Sequence, residues 1–161
     1  MAPSRRAAAA DQSAALAYAG LQLRIVAFIL DIMVLISFAL LFAAGTLAFL
    51  FIDAKQHDNN PSDQAFYVAV AVILTYVLAF VPLYHIVLWN WWGQTIGMMA
   101  VHIKVLSRAG GRLSLGRSAL RLLGFVASVA PLFLGIVIAL FDRERRTLHD
   151  RLADTVVVEL P

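Results

Sequence analysis

Residues 24–52 read RIVAFILDIMVLISFALLFAAGTLAFLFI, and between Arg24 and Asp53 a single ionisable residue, Asp31, interrupts the apolar run. About 20 apolar residues in a helix cross the hydrocarbon core of a bilayer. The stretch is therefore expected to span a membrane, with one carboxyl group roughly two turns from its start. Working outward, the uncharged runs that follow Asp31, Asp63 and Arg121 contain 21, 40 and 20 residues. Over all 161 residues, 61% are hydrophobic and 14% charged, against roughly 45–50% and about 25% in soluble domains. A water-soluble globule is excluded. The expected fold is an all-α membrane protein with one membrane domain, residues 21–160, preceded by a small-residue segment, 1–20, that forms a tail or an interfacial helix.

The second spanning helix is expected over about residues 64–92, with Pro82 as a kink and Trp89, Trp91 and Trp92 as interface anchors at its end. Between the two helices lies DAKQHDNNPSD (53–63), acidic and rich in turn formers. Residues 93–121 instead carry Lys104, Arg108, Arg112, Arg117 and Arg121 and no acid. The positive-inside rule puts that loop and the amino terminus in the cytoplasm and the acidic loop outside, as in a bacterial cytoplasmic membrane. Within the basic loop, residues 101–106 alternate like a strand and end at a turn signal, Ala109, Gly110 and Gly111. Residues 155–160 form a second strand-like segment. The two predict a small two-stranded cytoplasmic β element. The third apolar run, 122–141, either crosses once or returns as a hairpin broken at Pro131. The arginines at 143, 145 and 146 and the pairing of the strand segments favour the return.

Arg24 and Asp31 stand seven residues apart. Two helical turns bring them onto nearly one face, about 10.5 Å apart along the axis. A carboxylate at Asp31's depth must be neutral, paired or beside water. The bland reading is a buried ion pair that fixes helix register; the other is a proton or cation relay. Arg117 and Arg121, four apart on one helix face, or a backbone donor, are the candidate partners of Asp31. Asp150, in RRTLHDRLADT (145–155), is by composition part of a solvated interfacial stretch. Its alternative role is partner to Arg24. Together Arg24, Asp31, Asp150, Arg117 and Arg121 are the expected polar network.

Other candidates carry less. His57 and Asp58 lie in a polar loop without a second ligand pair, so no metal is expected. His85 suits a hydrogen-bonded core histidine. Gly93 and Gly97 have the spacing of a helix-dimerisation motif but follow the tryptophans, which suits a turn. No cysteine, nucleophile–base pair or phosphate loop is present. Neither an enzyme nor a cofactor is expected. The net charge of +3 comes from residues flanking apolar runs, so anionic lipid headgroups are the expected partner and nucleic acid is not.

RIVAFILD (24–31), GQTIG (93–97) and LHDRLADT (148–155) followed by VVV (156–158) occur in an order that resembles the RDD family of membrane proteins. The resemblance covers about residues 20–160 and implies that Arg24, Asp31 and Asp150 are the arginine and two aspartates of the family name. Met98 stands where the family usually has a basic residue, and Asp154 where it usually has glycine. The resemblance implies a fold more firmly than an activity, since transport is proposed for some members. Two function classes follow. One is an accessory or assembly subunit in a homo-oligomer or larger membrane complex. The other is an oligomeric transporter of protons, sodium or a small solute that uses Asp31.

Overall fold

The computed structural model describes residues 17–129, 142 and 144–161. The proposed break at Pro131 and most of the 1–20 segment lie outside the described residues. Helix α1, Leu21–Gln56, is 36 residues long and so about 54 Å at 1.5 Å per residue. A second helix runs Asp63–Trp91, 29 residues, as α2 (Asp63–Thr75), a π-helical turn (Tyr76–Phe80) and α3 (Val81–Trp91). Both are long and apolar enough to cross a membrane. The short α4 (Ile96–Ala100), β1 (Ile103–Ser107), α5 (Leu115–Val129), α6 (Leu148–Leu152) and β2 (Thr155–Glu159) follow. The chain divides into two compact units, Ile32–Tyr84 and the described parts of Met1–Asp31 with His85–Pro161.

The Ile32–Tyr84 unit is a helical hairpin. Its connection is closed by side chains: the Ser62 amide donates to Asp53 Oδ2 at 2.7 Å, and Ser62 Oγ caps α2 by accepting from the Ala65 amide at 3.2 Å. Asp58 and Asn59 take left-handed backbone angles, φ 54° and 65°, as short polar side chains tolerate in turns. Farther along, Phe38, Phe42, Tyr76 and Phe80 interlock with ring centroids 5.2–5.8 Å apart. The Tyr76 hydroxyl donates to the Leu35 carbonyl. Pro82 cannot donate to a helical carbonyl, and its ring crowds the turn before it. The chain widens there into the π-turn, where the Val81 amide donates to the Tyr76 carbonyl five residues back. The expected kink thus takes the form of a π-turn just before the proline.

In the other unit the sheet has the expected partners. β1 and β2 are antiparallel, with Ile103 opposite Glu159, Val105 opposite Val157 and Ser107 opposite Thr155. Ile103, Val105 and Val157 form a core with Ala19, Ala27, Trp89, Met98 and Leu113. Neither edge is left open. The Val105 amide donates to the Gly93 carbonyl at 2.7 Å, and Gln94 Nε2 to the Ile103 carbonyl at 3.0 Å. Across the sheet, the Ala19 amide donates to Val157 and the Glu159 amide to Ala17, both at 2.9 Å. Residues 17–19 are thus extended along β2, which corrects the expectation of a tail or helix for that part. Unpaired strand groups seek a partner, and this short segment supplies one.

Helix α5 turns Ser118, Arg121, Gly124 and Ser128 inward and leaves Leu115, Leu120, Leu123 and Val126 exposed. A helix on a water-soluble core is patterned the opposite way. Gly124 permits this packing, since a Cβ there would meet His149 and Leu152 of α6 at 3.1 Å.

Candidate functional site: a buried node of two arginines and one aspartate

Asp150 is fully buried, which overturns the solvated reading of residues 145–155. It is the third residue of α6, and Thr147 is the N-cap. Thr147-x-x-Asp150 is a capping-box pattern. The Thr147 amide and hydroxyl donate to Asp150 Oδ2 at 3.0 and 2.8 Å. Arg24 Nη1 donates to the same oxygen and Arg121 Nη1 to Oδ1, both as ion pairs. Arg121 Nη1 also donates to Thr155 Oγ1 at 2.7 Å, which ties the node to the first residue of β2. The start of α1, the inward face of α5 and the cap of α6 therefore converge on one carboxylate, and the start of β2 joins them through Arg121.

Burial raises the pKa of Asp150, but Arg121 and then Arg24 outweigh it and hold the carboxyl well below the usual carboxylate range. His149 is pushed down to about 3 by burial and by the neighbouring Arg121 charge, against the pull of Asp150. It is neutral at pH 7. Thr147 gives its only hydroxyl proton to Asp150, so at the 2.9 Å contact between Thr147 Oγ1 and His149 Nε2 the imidazole is the donor. Phe125 packs against the same ring, centroids 5.5 Å apart.

Asp31 is also buried, at 4% exposure. Of the partners expected for it, the backbone donor is present. The Gly97 amide donates to Oδ1 at 2.8 Å, and the Thr95 hydroxyl to Oδ2 at 2.6 Å. Thr95 then caps α4 by accepting from the Met98 amide at 3.3 Å. Arg121 is committed to Asp150 and Thr155. Arg117 donates to Ser107 Oγ and lies 3.9 Å from Asp154. The two glycines divide the roles expected of a turn. Gly93, at φ +72°, is the turn. Gly97 stands in the first turn of α4, where a Cβ would collide with the Ala27 carbonyl and come within 2.9 Å of Asp31 Cγ. Only glycine lets α4 approach α1 closely enough for its amide to reach the carboxylate.

Trp91 and Trp92 are exposed, in keeping with anchors, but Trp89 is buried. The Arg121 guanidinium lies over the Trp89 ring, 5.1 Å from its centroid, and His85 flanks the ring at 5.4 Å. Cation–π attraction holds this tryptophan inward, away from an anchoring position. Thr95, Thr147 and Thr155 were not among the expected network residues. Thr147 had a signal in the capping-box spacing. Asp154, at φ 51°, keeps the left-handed backbone that glycine adopts freely. Among the described residues, no group of acids and histidines is placed to hold a metal ion.

No curated protein and no solved structure matches the chain. A family model described as the RDD family matches residues 18–154, a span that contains both carboxylate sites, the Gly93–Gly97 segment and both helices long enough to cross a bilayer. With the arginine and two aspartates at the centres of the buried contacts, the chain belongs to the RDD family.

Proposed function

We propose that this protein is a non-enzymatic membrane subunit whose buried Arg/Asp contacts hold a scaffold for assembly, as a homo-oligomer or with other membrane proteins. The observation that carries this reading is Asp31. Its two oxygens are engaged by Thr95 and Gly97, one on each, at 4% exposure. A carboxylate used this way fixes where α4 sits on α1, and an ion-relay group needs a wetter surrounding. The exposed leucines and valine of α5 supply a surface for lipid or a neighbouring helix.

The arrangement belongs in a bacterial cytoplasmic membrane with both ends inside. β1 precedes the 122–141 run and β2 follows it, so their pairing supports a run that returns to the side it left, facing anionic headgroups. The chain has no cysteine, so single cysteines at Asn59 and Pro161 report sidedness directly. Outside labelling at position 59 with protection at 161 is the expected pattern, and outside labelling at 161 restores a single crossing. Asp31→Asn tests the role. Lower thermal stability or loss of co-purifying membrane proteins, with proteoliposome ion uptake unchanged from protein-free vesicles, fits a scaffold. Wild-type ion flux abolished by the substitution in stably folded protein would instead make the chain a transporter.

A further inference from the structure

Among the described residues, the unpaired buried groups at the Asp150 node are mostly donors, with one acceptor, His149 Nδ1, beside them. Each guanidinium gives one nitrogen to Asp150, yet Arg24 Nη2 and Arg121 Nε are buried with no acceptor among the described residues. Trp89 Nε1 and Ser118 Oγ are in the same condition. Three of these residues adjoin one another, and the fourth lies on the same buried helix face as one of them. Arg24 and Arg121 share Asp150, Trp89 lies beneath the Arg121 guanidinium, and Ser118 stands one turn before Arg121 on the inward face of α5. The charges are uneven as well, two arginines against one carboxylate with His149 neutral. Buried polar groups in native proteins are satisfied with few exceptions, and orphans around one point need an explanation. Water would satisfy the donors and leave the charge.

We infer that the surplus donors of Arg24, Arg121, Trp89 and Ser118 hold a phosphate-class oxyanion beside Asp150. A tetrahedral oxyanion offers several oxygens to donors arriving from different directions. Guanidinium, indole and hydroxyl groups all donate to it, and arginine matches phosphate geometry. The way in is on Arg24's side, because its side chain is 10% exposed while that of Arg121 is 3% exposed. Arg24 stands in the first turn of α1, where the uncharged run leading to Asp31 begins, a position suited to lipid headgroups. The oxyanion is then either the phosphodiester of a phospholipid or free inorganic phosphate. The inference goes beyond the scaffold reading, and its assay reads neither assembly nor ion flux, so each can fail without the other.

The test uses the full chain in phospholipid-free detergent, titrated with inorganic phosphate and with chloride at matched ionic strength, and followed by its thermal midpoint. A second arm places it in nanodiscs of phosphatidylglycerol or of a phosphate-free neutral glycolipid. Ligand that binds only the folded state raises the midpoint saturably, by several degrees at high occupancy. Trp89→Phe keeps the ring under Arg121 and removes the N–H, and Ser118→Ala removes a hydroxyl. Each is expected to raise the half-saturating concentration about 5- to 10-fold. A response to inorganic phosphate in detergent assigns the free anion, and a response only to phosphatidylglycerol assigns the headgroup. The inference is overturned if neither ligand gives a saturable response, if chloride matches phosphate, or if both variants titrate as wild type.

Discussion

The Ile32–Tyr84 hairpin and the unit built from both ends of the chain use opposite means of specification. The hairpin buries small residues such as Ala65 and Ala69 and interlocks four aromatic rings. Its polar bonds are mostly to the chain's own turns, as in Thr46 Oγ1 to the Phe42 carbonyl at 2.8 Å. The other unit sets beside its apolar core a group of buried polar residues, Asp31, Thr95, Ser118, Arg121, Thr147, Asp150 and Thr155. Lipid tails are as apolar as leucine, so apolar burial alone ranks one helix arrangement weakly over another. Polar partners far apart in sequence make the choice in the second unit.

The contrast breaks most readily at Asp150. Asp150→Ala strands two buried arginines and is expected to cost about 3–5 kcal/mol, read as a collapse in folded yield and thermal midpoint. Acid should act on the same unit. His149 takes a proton more readily unfolded than folded, so stability falls as pH drops from its ordinary 6.5 toward about 3. Asp150, whose folded pKa is depressed, adds its loss below its ordinary 3.8. The slope per titrating group is at most about 1.4 kcal/mol per pH unit. A His149→Gln variant should flatten the limb between pH 6.5 and 4, and an unchanged limb would remove His149 from the account.

Gly97→Ala should cost about 1–3 kcal/mol, since the added methyl meets backbone, which gives less easily than a side chain. The hairpin should respond least. Tyr76→Phe deletes one hydroxyl bond and leaves the aromatic stack, an expected loss of about 1 kcal/mol in detergent melts. A loss at Tyr76 as large as at Asp150 would erase the distinction between the two units.

The hairpin was legible in the sequence because its signal is local: uncharged runs of sufficient length, an acidic connection and a proline. The strand pair was legible from alternation. The burial of Asp150 was not, because RRTLHDRLADT has the composition of a solvated stretch and its counterions lie 29 and 126 residues away. Trp89 was misplaced for the same reason, since a tryptophan near a helix end reads as an anchor until Arg121 is known to cover it. The amphipathicity of α5 is plain in its residues, but its direction depends on whether the outer medium is water or hydrocarbon.

The separation of Arg24 from Asp150, 126 residues, also orders events during synthesis. At about 5–20 residues per second the ribosome needs about 6–25 s to travel from one to the other. Through that interval α1 is already made, and Arg24 has within its own neighbourhood the Ala19 carbonyl, 3.2 Å from its Nε, as a resting partner. Arg121 arrives next and only adds like charge. The node closes when the last strand emerges, so a nascent chain halted before Asp150 holds two uncompensated arginines and is marked as unfinished by its own electrostatics.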